Sequence, residues 1–282
     1  MMSDVDDAAR KLRVLVIGAH PDDADFHAGG VAALYREFGA VVKMVSLTDG
    51  GAGHHLHPGA ELVRRRRGEA TAAASVIGAT YDVFDIPDGE LLPTLENRWA
   101  VITLIRTFEP DLVLTHRPND YHPDHRYTSQ LVQDAAYMVT VPAVVPNVPY
   151  LRRDPVIAYL PDDFRKPVAF EATVAVDVGP VLDKIVAMLD CHVSQFYEWL
   201  PHNGKHIDEV PDDERERRDW LAGHVRERLA EQAHRFRAAL VRGYGEERGG
   251  KVEFAEGFEG CEYGSPLDEH AIRRLFPFVQ EQ

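Results

Sequence analysis

Twice in 282 residues the chain runs an apolar, strand-like segment into the same kind of polar turn. Val14 to Ala19 is apolar or small without interruption and leads directly to His20-Pro21-Asp22-Asp23. Asp111 to Thr115 is the second such run, and a few residues later comes His122-Pro123-Asp124-His125. A strand that does not alternate polar with apolar is buried on both faces, which places it inside a parallel sheet covered by helices. Proline suits the first turn of a helix, where its missing N–H costs nothing, and aspartate suits the same place because free amides and the helix dipole favour negative charge. Each motif therefore sits where a buried strand hands over to a helix. Open α/β sheets build their sites at that carboxyl edge.

The rest of the chain supports this layout. Helical spacing predicts a helix over 28–38 and another with Ala70, Ala73, Ala74 and Ile77 on one face. A third carries Val101, Leu104, Ile105 and Phe108, and a fourth follows the second motif over about 128–139. Strands are expected at 41–47 and 81–86 between them. The alternation points to an α/β fold, a Rossmann-like, doubly wound and mostly parallel sheet flanked by helices, with right-handed crossovers. Beyond residue 140 the proline- and valine-rich stretch 141–155 reads as a loop forming a wall of the site. Further strands are expected at 156–160 and 170–178, and a long charged amphipathic helix over about 213–244. With no internal repeat and no linker composition, one elaborated domain spans 1–282. Its core, 12–140, carries the motifs, and 141–282 supplies the pocket wall, the extra strands and the C-terminal helices.

Residues three apart share a helical face, so His20 and Asp23 can address one object while Asp22 points beside it. An imidazole and a carboxylate so placed are typical ligands for zinc, with iron or cobalt open on the same grounds. A catalytic zinc takes three protein ligands and keeps one position for water. Four side chains compete for it, His20, Asp23, His122 and His125, and spacing alone does not choose among them.

Ala19-His20-Pro21-Asp22-Asp23 and His122-Pro123-Asp124-His125 resemble the paired signatures of the zinc-dependent de-N-acetylases related to N-acetylglucosaminyl-phosphatidylinositol deacetylase, the PIG-L or LmbE-like family. Ser46 to Gly50, Arg67-Gly68-Glu69, Pro87-Asp88-Gly89 and His192 to Gln195 fit the same pattern. The likeness covers about residues 12–200. One departure is that many members carry Glu after the two aspartates, where this chain has Ala24 and then Asp25. The resemblance implies a Zn2+ hydrolase that removes an N-acetyl group from an amino sugar or its conjugate, with His20, Asp23 and His125 as ligands and His122 left for chemistry. Asp22 then serves as general base, and a protonated His122, oriented by Asp124, steadies the oxyanion. The resemblance also places Arg67 at the substrate pocket. Asp49, Asn119, Asp120, Tyr121 and His54 are the further candidates for substrate contact, with Asp88 read as a structural turn residue. An amidase acting on a non-sugar amide or thiol conjugate is the alternative, and a non-catalytic α/β ligand-binding protein is the alternative from another class.

The formal net charge of −15 opposes nucleic acid and anionic membranes. Arg64 to Arg67 is the only compact basic run and reads as a helical turn. Two cysteines make no disulfide framework. The acidic start has no signal-like apolar segment, and no apolar run is long enough to span a bilayer. The expectation is a cytoplasmic enzyme of a small N-acetylated substrate, with the apolar stripe of the long helix also suited to a homo-oligomer contact.

Overall fold

The computed structural model describes residues 10–279, so the first nine residues of the acidic start lie outside the described part. Among the described residues seven strands form the sheet: β1 (Arg13–Gly18), β2 (Val41–Thr48), β3 (Thr80–Ile86), β4 (Leu112–Thr115), β5 (Val156–Tyr159), β6 (Val174–Asp177) and β7 (Ala255–Gly264). Their spatial order is β3-β2-β1-β4-β5-β7-β6. β1 to β5 run parallel, and β7 is antiparallel to both β5 and β6. The sheet is thus mostly parallel, as the unalternating strands required. The two motif-bearing strands are neighbours, with Val14 opposite Leu112 and Ile17 opposite Thr115. The chain order reverses between β1 and β4, which opens a crevice beyond their carboxyl ends.

Helices cover both faces: α1 (Asp23–Glu37), α2 (Ala60–Ile77), α3 (Leu95–Phe108), α4 (Pro123–Met138), α5 (Leu182–Cys191), α6 (Glu214–Arg235), α7 (Arg237–Gly249) and α8 (Glu269–Leu275). Strand alternation divides the core. Val14, Val16, Met44 and Leu114 join a cluster with Val31, Ile185 and Leu229, whereas Leu15, Ile17, Val45 and Val113 join Ile102, Ile105 and Leu131 on the other face. Each such side chain, fully buried, contributes about 1.5–3 kcal/mol.

Several elements depart from the sequence reading. The first helix begins at Asp23 rather than 28, and a kink at Ala28 (φ −139°) explains the difference. The kink frees the amides of Gly30 and Val31, and the buried Glu256 carboxylate accepts both at 2.8 Å. The long helix is two, α6 and α7, broken at Phe236. Phe236 turns into the sheet against Gly257, where any Cβ would come within 2.5 Å of its ring, so β7 needs a glycine there. β7 itself escaped the sequence reading because its glycines and glutamates suppress the strand pattern. Residues 141–155 do not line the site. They wrap around the buried Arg106, which donates to the carbonyls of Met138, Val139, Val141, Val144, Val145 and Val148. The wall of the crevice comes instead from later segments around 161–164, 195–203 and 228–235.

Candidate metal centre

The turn after β1 folds back tightly because Gly18 leaves room for it; a Cβ there would stand 2.7 Å from that of Asp23. The Asp23 carboxylate then accepts the amides of Ala19 and His20 at 2.9 and 2.7 Å through Oδ2. Across the crevice, His122 caps α4, with Pro123 in the first turn, and its Nδ1 accepts the Asp124 amide at 3.2 Å. His125 follows one residue further into the helix.

These two turns bring His20, Asp23 and His125 together. His20 Nδ1 lies 3.2 Å from His125 Nε2 and 3.4 Å from Asp23 Oδ2, and the last pair stands 3.5 Å apart. Donors bound tetrahedrally to zinc at about 2.0–2.2 Å lie about 3.3–3.6 Å from one another. The three side chains therefore fit a zinc ion. Among the described residues, the overlapping groups His20–His122–His125 and Asp23–His116–His125 also hold mutually close donors.

Carboxylates flank the two rings. Asp88 Oδ1 and Asp124 Oδ2 lie 3.2 and 3.5 Å from His20 Nε2 without hydrogen-bonding to it, and their charge favours a proton on that edge, leaving Nδ1 for a cation. Asp120 Oδ1 lies 3.0 Å from His125 Nδ1 and leaves Nε2 in the same way. Burial alone would lower the pKa of His20, but Asp124, Asp23 and Asp88 together raise it well above the usual value. Burial would raise that of Asp23, yet the neighbouring His125 and His116 hold it well below the carboxylate range. Asp88 is depressed to about 2, chiefly by His20 acting against burial. This centre gathers negative charge around donors that face one another, as a cation site must.

Asp22 lines the adjoining cavity of about 710 Å³, together with Tyr121, His122 and Gln195. Its Oδ1 accepts from Arg66 Nη2 at 2.6 Å, while Arg66 Nη1 reaches the Gly50 carbonyl. Of the run Arg64 to Arg67 it is Arg66 that enters the cavity, and the expectation for Arg67 is corrected. Successive helical residues point about 100° apart, and Arg67 turns outward to Asp85 and the Phe84 carbonyl. The Asp124 carboxylate is corrected as well: it faces His20 and accepts the Gly89 amide, so only the backbone amide of Asp124 touches the His122 ring. Burial, followed by the neighbouring His20 and His125, lowers the His122 pKa and favours a neutral ring over the protonated one expected.

The remaining candidates divide. Asp120 and Tyr121 line the cavity, Asp120 as the partner of His125. Asp49 instead holds the turn bearing Asp88, accepting the amides of Gly51 and Asp88. Asn119 donates to the Lys166 carbonyl. His54 pairs with Glu198 at 2.8 Å beside a second, smaller cavity. Two residues went unassigned to the site in the sequence. Asp88 reads as a turn residue and is one, but its side chain reaches His20. His116 directly follows β4, stacks on His125 with ring centroids 3.9 Å apart, and sets Nε2 3.1 Å from Asp23 Oδ2. Its position at the strand end was the available signal. Asp25, at the departure from the family pattern, forms a fully buried pair with His192 at 2.9 Å.

The pattern of the PIG-L family, described as GlcNAc-PI de-N-acetylase, matches residues 15–136, the stretch that contains both motifs. The chain is 28% identical over 193 residues to a 4-oxalmesaconate hydratase of Pseudomonas putida, covering 66% of this chain and 74% of that one. It is 31% identical over 205 residues to the diacetylchitobiose deacetylase of Thermococcus kodakarensis, covering 67% and 74%. In fold it is similar to the N,N'-diacetylchitobiose deacetylase of Pyrococcus horikoshii, with a TM-score of 0.66 at 23% identity over 88% of this chain and 83% of that one. A shared fold, a relative above 30% identity along most of its length, and both motifs folded onto one crevice make this chain a member of the PIG-L, or LmbE-like, family.

Proposed function

We propose that the protein is a zinc-dependent hydrolase that removes the acetyl group from an N-acetylated amino sugar or its conjugate. The observation that carries this reading is the convergence of His20 Nδ1, Asp23 Oδ2 and His125 Nε2 to within 3.5 Å of one another, with the Asp22 carboxylate fixed by Arg66 on the wall of the same cavity. The kinship with a diacetylchitobiose deacetylase supports the choice of bond and sugar.

Zinc held by His20, Asp23 and His125 would supply Lewis acidity to the amide carbonyl and lower the pKa of water to about 7. Asp22 takes the proton from the attacking water, and its contact with Arg66 keeps one carboxylate oxygen aimed while the other works. His122, with Nδ1 engaged by the Asp124 amide, presents Nε2–H and donates to the oxygen that gains charge. The leaving amine then collects the proton held by Asp22. Tyr121, which lies over His125 with ring centroids 5.3 Å apart, restricts access to the centre.

A second reading follows from the kinship with 4-oxalmesaconate hydratase. The same centre and the same base would add water to a carbon–carbon double bond of an unsaturated acid. One experiment separates the two. Protein purified without chelator is analysed for metal, then assayed for amine release from N-acetylglucosamine and its conjugates and for loss of ultraviolet absorbance from unsaturated dicarboxylic acids. Stoichiometric metal with amine release supports deacetylation, and metal with absorbance loss alone supports hydration. No metal, and no gain in either assay on adding zinc, overturns both.

A further inference from the structure

Three arginines line the main cavity, and two are already engaged. Arg66 holds Asp22, and Arg235 donates to Asp163 and the Asp162 carbonyl. Arg228 has no such acceptor: its Nη1 and Nη2 are shut off from solvent without a hydrogen-bond partner among the described residues. Its guanidinium rests on the Phe26 ring, 4.1 Å from the centroid. Glu231, which lines the same cavity, makes no ion pair with Arg228 among the described residues, and two other acids are already engaged. Both oxygens of Glu256 take the amides of Gly30 and Val31, and Asp162 pairs with Arg117 at 3.0 Å. One turn further along α6, Gln232 lines the same cavity and its Oε1 is likewise buried without a partner. A desolvated cation without an acceptor is costly, and a planar guanidinium matches the two oxygens of a carboxylate or a phosphate.

We infer that Arg228, with Gln232, forms an oxyanion subsite of this cavity that receives a carboxylate or phosphate carried by the substrate. Both residues belong to one face of α6, so the subsite lies on the wall contributed by the C-terminal part of the chain and not on the motif-bearing turns. A half-turn of the Gln232 amide presents Nε2 beside the guanidinium. The inference rests on the reading that this cavity takes the substrate, and it makes that substrate an anion.

Binding of amide-free acids tests it independently of turnover. Zinc-loaded full-length protein is titrated by calorimetry with straight-chain monocarboxylates, with the matching dicarboxylates from succinate to pimelate, and with ω-phosphonocarboxylates. A second anionic group of the right reach should tighten binding about tenfold or more over the matched monocarboxylate. Arg228→Gln should abolish that gain and leave the monocarboxylate within about twofold. The better of the two second groups identifies the oxyanion. No gain at any length, a gain that survives Arg228→Gln, or an equal loss for mono- and dianionic acids overturns the subsite. Should Arg228→Gln fail to fold, Gln232→Leu carries the same comparison, and an undiminished gain overturns it. An Arg228-dependent gain in a protein that releases no amine from any N-acetyl sugar keeps the subsite and removes the proposed reaction.

Discussion

The carboxylate of Asp120 lies 3.0 Å from Nδ1 of His125, on the ring edge opposite the nitrogen that faces His20 and Asp23. A carboxylate in that position favours a proton on Nδ1 and leaves Nε2 for a metal, although the two groups are not aligned as a hydrogen bond. Asp120→Ala should therefore weaken zinc binding by about ten- to a hundredfold without unfolding the chain. Competition with a chromogenic chelator measures this. Unchanged affinity would mean that Asp120 only lines the cavity.

Asp22 and Arg66 make a second pair with separable effects. Asp22→Asn should retain zinc and lose about a hundredfold or more in kcat, because the amide cannot take a proton. Arg66→Gln should keep the base but leave it unaimed, lowering kcat by about tenfold to a hundredfold. Arg67→Gln, at the exposed neighbour, should stay within about twofold of the parent. Equal losses at 66 and 67 in steady-state amine release would contradict the assignment of the pocket arginine.

The central strands and both motif turns were legible because each depends on local pattern. β1 and β4 lack alternation, and proline and aspartate mark both turns, although helical spacing alone sets the starts of α1 and α4 five residues late, at 28 and about 128 instead of 23 and 123. What escaped was tertiary. Whether Arg66 or Arg67 enters the cavity depends on how α2 is rotated against the sheet, and a run of four arginines gives no periodicity from which to read that rotation. Asp88 belongs to the turn after β3 and Asp124 to the first turn of α4, and only the strand order brings both to His20. The break at Phe236 has no proline or glycine to announce it, since its cause is the contact with Gly257 on a strand that the sequence itself disguises.

Arg106 shows the same dependence in the fold's stability. It is almost fully buried, and its guanidinium serves six carbonyls of the end of α4 and the loop after it. Arg106→Met keeps much of the volume but leaves those carbonyls short of donors. A loss of about 3 kcal/mol or more in chemical denaturation is expected, and Arg106→Lys should recover less than half of it, because an ammonium cannot span the set. A loss below about 1 kcal/mol would mean that the loop rearranges to satisfy itself.

Glu256 ties stability to pH. Burial raises its pKa to about 7 from the usual 4.5, against the opposing effect of the Val31 and Gly30 amides and of the Arg228 charge. The fold therefore holds this proton more tightly than the unfolded chain does. Its contribution is fully present below about pH 4.5 and is lost as pH rises through about 7. The whole swing is on the order of 3 kcal/mol. Glu256→Gln keeps an acceptor near the two amides and removes the titration. Unfolding free energies measured across this range should show the parent losing stability relative to the variant between about pH 4.5 and 7, with no further divergence above it. Parallel curves would show that Glu256 is ionised in the fold throughout, with its two backbone amides outweighing its burial.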